Sequence, residues 1–122
     1  MSVSVLVVDD SAMARKMLIR ALPPDWDITV TQASNGAEAL AHYRQGVVDV
    51  MFLDLTMPEM DGYQVLETLR REDLNCLVIV VSADIQEAAQ ARVRAMGAIA
   101  FIKKPVDAER IKAVLKEYGL LV

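Results

Sequence analysis

Acidic residues directly follow two apolar segments of this chain, where a carboxylate could do chemistry. Asp9 and Asp10 follow segment 3–8, and Asp54 follows the run Val50-Met51-Phe52-Leu53. Such a run of apolar residues with β-formers is typical of a strand buried on both faces. Because burying a lone carboxylate is costly unless it is paired or bound to a metal, the position of Asp54 demands an explanation.

A hydroxyl and a lysine occupy comparable positions further along the chain. Ser82 follows the apolar segment 77–81, and Lys104 lies just beyond the short segment 98–102. The carboxyl ends of parallel strands meet along one edge of an α/β sheet, where ligands bind. We therefore expect the three carboxylates, the hydroxyl and the lysine to meet in one site.

The residue types in this predicted site favour phosphoryl chemistry with a hard metal ion. Clustered carboxylates raise one another's pKa unless a cation intervenes. Oxygen ligands without sulfur or histidine suit Mg²⁺ best, since Mg²⁺ retains waters and needs only one or two carboxylates. Metal and lysine neutralise charge on phosphoryl oxygens, and a carboxylate can itself be the nucleophile. An acid pair after a strand is often only a helix cap, but the third acid, Asp54, favours metal binding.

Strand-like runs alternate with helical patterns along the sequence. We predict strands over residues 3–8, 28–33, 50–53, 77–81 and 98–102. We predict helices over residues 12–22, 37–45, 63–71, 85–96 and 107–118, the first with Met13, Met17, Leu18 and Ala21 along its apolar face. Five βα units in this order predict an α/β fold: a doubly wound, five-stranded parallel sheet with five helices, flavodoxin-like.

Composition limits the possible classes of protein. The length of 122 residues predicts one domain over 1–122, and 54% apolar residues argue against disorder. A net charge of −4 argues against nucleic-acid binding. Apolar runs of only strand length predict no membrane segment. A lone Cys76 and the absence of a secretory pattern at the start predict a cytoplasmic location.

The motifs resemble those of the response-regulator receiver family along the whole sequence. They are Asp9-Asp10, the segment Phe52-Leu53-Asp54-Leu55-Thr56-Met57-Pro58, Gly62, Ser82-Ala83 and Lys104-Pro105. The chain is most similar to single-domain chemotaxis-type regulators. This resemblance implies a stand-alone response regulator, not an enzyme, that accepts a phosphoryl group on Asp54 from a partner histidine kinase or phosphotransfer protein.

The resemblance also implies a role for each residue of the site. Asp54 is the phospho-acceptor, and the implied Mg²⁺ ligands are Asp9, Asp10, Asp54 and the backbone carbonyl of Thr56. Lys104 pairs with the acceptor and then with a phosphoryl oxygen. The peptide bond between Lys104 and Pro105 is implied to be cis, which is rare.

A switch and a signalling surface are implied as well. The hydroxyl of Ser82 moves to the phosphoryl group and the ring of Phe101 swings inward, although Phe101 lacks the hydroxyl of the tyrosine often found there. Thr56 and Asp84 are implied to tune how readily water reaches the acyl phosphate. A downstream target binds the face formed by residues 85–96, 98–102 and 107–118, and a phosphatase is a further possible partner.

Two alternatives remain open from the sequence. A small Mg²⁺-dependent phosphohydrolase of the haloacid-dehalogenase type also uses an aspartate after a buried strand. That class needs a second aspartate two positions later, where this chain has Thr56, and usually a cap segment, for which there is no room. A receiver-like interaction module without phosphorylation is the other alternative, and the intact acids, Ser82 and Lys104 argue against it.

Overall fold

Within residues 2–46, 48–83 and 86–121, which the computed structural model describes, five parallel strands form one sheet. They are β1 (Val3–Val8), β2 (Ile28–Ala33), β3 (Val50–Asp54), β4 (Leu77–Ser82) and β5 (Ala100–Lys103). Their order across the sheet is β2-β1-β3-β4-β5. The doubly wound α/β fold predicted from the sequence is confirmed.

The helices connect successive strands. They are α1 (Ala12–Ala21), α2 (Gly36–Arg44), α3 (Gly62–Arg71), α4 (Glu87–Ala95) and α5 (Ala108–Glu117). All predicted boundaries lie within two residues of these, except that residue 85 of the predicted fourth helix lies outside the described residues. The side chains that cap helices by accepting a backbone N–H are Ser11, Asn35, Asp61 and Asp107. None of these helices is long and apolar enough to cross a membrane.

Two apolar layers cover the sheet, because successive strand residues point to opposite faces. One layer packs α2, α3 and α4 on the sheet, and the other packs α1 and α5 on it. All five residues of β3 are buried. Among the five strands that the structure describes, Asp54 therefore ends the one whose residues are all buried.

The predicted apolar face of α1 is partly wrong. Met13 and Met17 are 66% and 47% exposed, whereas Leu18 and Leu22 are buried against the sheet. Residues three or four apart share a helix face, so the line of α1 that faces the sheet runs through Leu22, Leu18 and the half-buried Arg15. The two methionines lie outside that line and face solvent.

Candidate functional site

Asp54 is held at the end of β3 by the close approach of α3. The Asp54 side chain is buried, with the residue only 5% exposed. The N–H of Gly62 donates to the carbonyl oxygen of Leu55 at 2.9 Å. A β-carbon on Gly62 would collide with the carbonyl oxygen of Asp54 and would lie 2.7 Å from the α-carbon of Leu55. Glycine is therefore required here by the contact between two backbones.

The acids after β1 lie beside Asp54, as the parallel sheet predicts. Carboxylate oxygens of Asp9, Asp10 and Asp54 all lie within 4.8 Å of one another. Asp9 is buried and accepts the N–H of Ser11 at 2.9 Å, whereas Asp10 is exposed. Three oxygen donors with one open side fit a hard cation that retains water, so the residues present suit Mg²⁺.

Lys104 supplies a cation to the two buried acids. Its Nζ donates to Asp9 Oδ2 at 2.7 Å and lies 3.4 Å from Asp54 Oδ1. The backbone N–H of Lys104 donates to the carbonyl oxygen of Ser82 at 2.9 Å, which continues the pairing of β5 with β4. The peptide bond to Pro105 is cis.

The electrostatics of the site favour proton retention on both Asp54 and Lys104. Burial, and then the charge of Asp9, raise the pKa of the Asp54 carboxyl, while Lys104 and the backbone N–H of Thr56 act in the opposite direction. Burial alone would lower the pKa of Lys104, but its bond to Asp9 and the charges of Asp54 and Asp9 raise it. Lys104 is therefore cationic at neutral pH, and the charged form of Asp54 is disfavoured by its surroundings.

The remaining predicted residues lie at or near the same edge of the sheet. Ser82 is the last residue of β4 and is buried. Phe101 is buried in the layer under α4, so its ring is in an inward position. Thr56 is exposed just beyond Asp54, and its backbone N–H contacts that carboxylate. Asp84 lies outside the described residues.

Sequence reasoning missed a hollow beside Lys104. It measures about 370 Å³, and its lining residues are Ala14, Met17, Ala83, Lys104, Pro105 and Val106. The exposed Met17 lines it, whereas the apolar pattern of α1 had put this side chain on the face toward the core. A larger hollow of about 500 Å³ includes Tyr43 and Asn75 and lies near the amino ends of β3 and β4, far from the carboxylates.

The raised pKa of Asp54 predicts that Asp54→Asn stabilises the metal-free protein. A carboxyl whose pKa is raised by folding lowers stability as pH increases from its ordinary pKa, about 3.9, through the raised value. At pH 7 without Mg²⁺, the free energy of unfolding of the variant should exceed the wild-type value by about 1 kcal/mol. Urea denaturation in EDTA at pH 7 and pH 4 measures this, and a gain of equal size at both values would contradict it.

The chain is thus a doubly wound α/β protein with three acids and a lysine at the carboxyl ends of its parallel strands. Residues 5–116 match the response regulator receiver domain, and the chain belongs to this family. Receiver domains are signalling phospho-acceptors, and they bind Mg²⁺ at an acidic pocket. Family membership favours the receiver interpretation over the phosphohydrolase alternative.

Similarity extends to curated relatives and to solved structures. The chain is 36% identical to chemotaxis protein CheY of Bacillus subtilis over 88% of this chain and 89% of that protein. It is 39% identical to a protein-glutamate methylesterase/protein-glutamine glutaminase of Halalkalibacterium halodurans, covering 94% of this chain but only 35% of that enzyme. The structure of a CheX-CheY-BeF3-Mg complex from Borrelia burgdorferi matches with a TM-score of 0.86 and 32% identity, over 95% of this chain and 89% of that chain.

Proposed function

We propose that residues 1–122 form one receiver domain whose Asp54 accepts a phosphoryl group from the phosphohistidine of a partner histidine kinase or phosphotransfer protein. The observation that carries this proposal is the constellation at the sheet edge. Lys104 Nζ lies 3.4 Å from Asp54 Oδ1, and the oxygens of three acids lie within 4.8 Å of one another. One cation and one cation site thus flank a buried, reactive carboxylate.

The transfer uses Asp54 as the nucleophile. Its carboxylate oxygen forms the new bond to phosphorus as the bond from phosphorus to the histidine nitrogen breaks, and the imidazole keeps that electron pair. Asp9, Asp10 and Asp54, with the backbone carbonyl of Thr56, would hold Mg²⁺, which neutralises phosphoryl charge when bound. Lys104 pairs with a phosphoryl oxygen, and burial limits access of water to the acyl phosphate.

Ser82 and Phe101 then transmit the effect of phosphorylation to the surface formed by α4, β5 and α5. In our proposal, the Ser82 hydroxyl moves to the phosphoryl group, and the ring of Phe101 swings to the inward position that it has in this structure. Phosphorylation shifts a pre-existing equilibrium by this added bonding. Only Ala89 and Val93 of α4 are buried, which supports α4 as an element that can shift. The downstream partner binds the face formed by α4, β5 and α5.

The pathway is inferred from relatives named as chemotaxis proteins. We propose a role in chemotaxis or a related two-component relay, with a phosphatase as a further possible partner. The chain acts as a phospho-acceptor in the cytoplasm, and an enzymatic activity is not part of this proposal. Thr56 and Asp84 tune the lifetime of the acyl phosphate.

Acetyl phosphate with Mg²⁺, followed by mass spectrometry of the intact protein, tests the proposal. We expect a gain of one phosphoryl group that is lost in Asp54→Asn and in EDTA. Asp49→Asn is the matched control, because Asp49 precedes the same strand at its opposite end and should leave the adduct intact. Absence of any adduct would favour the interaction module, and repeated turnover of unrelated phosphomonoesters would favour the hydrolase.

A further inference from the structure

Arg15 occupies a position on α1 where the packing pattern calls for an apolar residue. Leu18 and Leu22, three and seven residues later, are buried in the layer between α1 and the sheet. Arg15 lies on the same line of the helix and is half-buried. A charged side chain facing a core layer is uncommon unless it has specific partners.

Gln32 breaks the apolar alternation of β2, although its side chain is exposed. Ile28 and Val30 face the layer beneath α1, and alternation puts Gln32 on that face. Its neighbour in the register is Val7 of β1, which belongs to the same layer. The Nε of Arg15 donates to Oε1 of Gln32 at 2.9 Å. Thus the two polar side chains that interrupt their elements' apolar faces bind each other.

The second bond of Arg15 reaches the acidic turn. Its Nη1 donates to the backbone carbonyl oxygen of Asp9 at 2.7 Å. The N–H of Asp9 donates to the carbonyl of Ala33 at 3.1 Å, and its carboxylate accepts the N–H of Ser11. The carbonyl that Arg15 holds belongs to the peptide group between Asp9 and Asp10. Fixing that group fixes the direction in which both carboxylates leave the backbone.

The guanidinium contributes this restraint without occupying the cation site. It binds a carbonyl and an amide, whereas Lys104 binds the carboxylates. Arginine suits the task because its planar fork presents several N–H groups in fixed directions, which a lysine ammonium does not. Outer partners of this kind orient the groups that hold a metal.

We propose that Arg15, supported by Gln32, is a positioning residue for the Mg²⁺ site: it orients the Asp9–Asp10 turn so that both carboxylates converge with Asp54. This inference rests on the Mg²⁺ site of the proposed function, but not on phosphorylation itself. Arg15 acts through the backbone of Asp9 and touches neither the metal position nor Asp54.

Calorimetric titration of the unphosphorylated protein with Mg²⁺ tests the inference. We expect Arg15→Gln to weaken Mg²⁺ binding about tenfold. Arg15→Lys keeps the positive charge but loses the planar guanidinium. Its Mg²⁺ affinity should therefore fall almost as much as that of Arg15→Gln. Lys16→Gln, an equal change in charge at the neighbouring exposed position, should bind Mg²⁺ like the wild type. Gln32→Leu keeps Arg15 and removes only the hydrogen bond that Gln32 accepts from it, so we expect a smaller loss of Mg²⁺ affinity than in Arg15→Gln.

A second readout separates positioning from general damage. In acetyl phosphate, Arg15→Gln should need about tenfold more Mg²⁺ for half-maximal phosphorylation, yet reach the wild-type rate at saturation. Wild-type Mg²⁺ affinity in Arg15→Gln, or an equal loss in Lys16→Gln, would overturn the inference. If Arg15→Gln does not fold, unchanged affinity in Gln32→Leu and Arg15→Lys would overturn it. Wild-type protein that binds Mg²⁺ but is never phosphorylated would instead refute the proposed function alone.

Discussion

Replacing Lys104 by alanine is expected to lower the free energy of unfolding by about 2 kcal/mol at pH 7 in EDTA. The change leaves Asp9 and Asp54 buried without the cation that lies 2.7 Å and 3.4 Å from them. Removing one partner of a fully buried pair costs about 3–5 kcal/mol. The Lys104 side chain is 27% exposed, so solvent screening reduces the loss below that range.

The stability that Lys104→Ala loses should decrease as the pH falls below 7. The raised pKa of Lys104 means that its contribution is fully present below the ordinary lysine pKa, about 10.4, and disappears only at higher pH. On the acidic side, protonation of Asp54, whose pKa is raised by burial and by the charge of Asp9, removes uncompensated charge. The destabilisation of Lys104→Ala should therefore shrink between about pH 7 and pH 4.

Mg²⁺ should substitute for the missing lysine. A cation bound by the three acids neutralises the same carboxylates, so saturating Mg²⁺ should restore most of the stability lost in Lys104→Ala. Urea denaturation with and without Mg²⁺ measures this effect. Lys103→Ala, at the exposed preceding position, is the matched control and should be near neutral under all conditions. Equal losses in the two variants, or no rescue by Mg²⁺, would contradict the assigned pairing.

The same variant should separate phosphorylation from signalling. Without Lys104, Asp54 and the other acids remain, so Lys104→Ala should still take up some phosphoryl group from acetyl phosphate. It lacks the cation that links the phosphoryl group to the end of β5, so the signal to α4 and β5 should fail. Hydrogen exchange over residues 86–118, with and without beryllofluoride, should show a change in the wild type and little in the variant. An undiminished change would exclude Lys104 from the switch.

The sequence predicts the acidic site well because strand ends follow from local pattern. A buried strand has a recognisable composition, and a carboxylate after it can lie only at the carboxyl edge of a parallel sheet. Contacts between side chains of elements that are distant in sequence cannot be predicted from such a local pattern. Nothing local to Arg15 or Gln32 indicates that they meet, and their shared violation of two apolar patterns becomes meaningful only after α1 is placed over β2.

The exposed Met13 and Met17 show that the apolar pattern of a helix does not determine which of its faces is buried. Apolar residues cover more than half the circumference of α1, so periodicity alone offers several candidate faces. Packing of Leu18 and Leu22 selects one of them and leaves Met13 and Met17 outside. Which apolar face is buried depends on the neighbouring α5 and the sheet, and a single-helix pattern contains no information about those neighbours.

Gly62→Ala should be the most damaging small substitution near the site. The new β-carbon would collide with the carbonyl oxygen of Asp54 and lie 2.7 Å from the α-carbon of Leu55, and neither backbone atom can move without displacing β3 or α3. We expect a loss of about 2–3 kcal/mol in the free energy of unfolding. Displacing the backbone of Asp54 should also slow phosphorylation from acetyl phosphate at least tenfold, since roughly 1 Å of misplacement has effects of that order or larger.

Gly36→Ala is a closely matched control for this prediction. Gly36 is the first residue of α2 as Gly62 is of α3, and its β-carbon would also make a short contact, 2.6 Å from Sδ of Met60. The two shortest contacts, with Sδ and Cγ of Met60, are relieved when Met60 changes rotamer, which leaves only the milder contact of 3.0 Å with its β-carbon, and alanine reduces the entropy of the unfolded chain. The loss should stay below about 1 kcal/mol with normal phosphorylation. Similar losses in the two variants would mean that the backbone contact at Gly62 does not hold Asp54 in place.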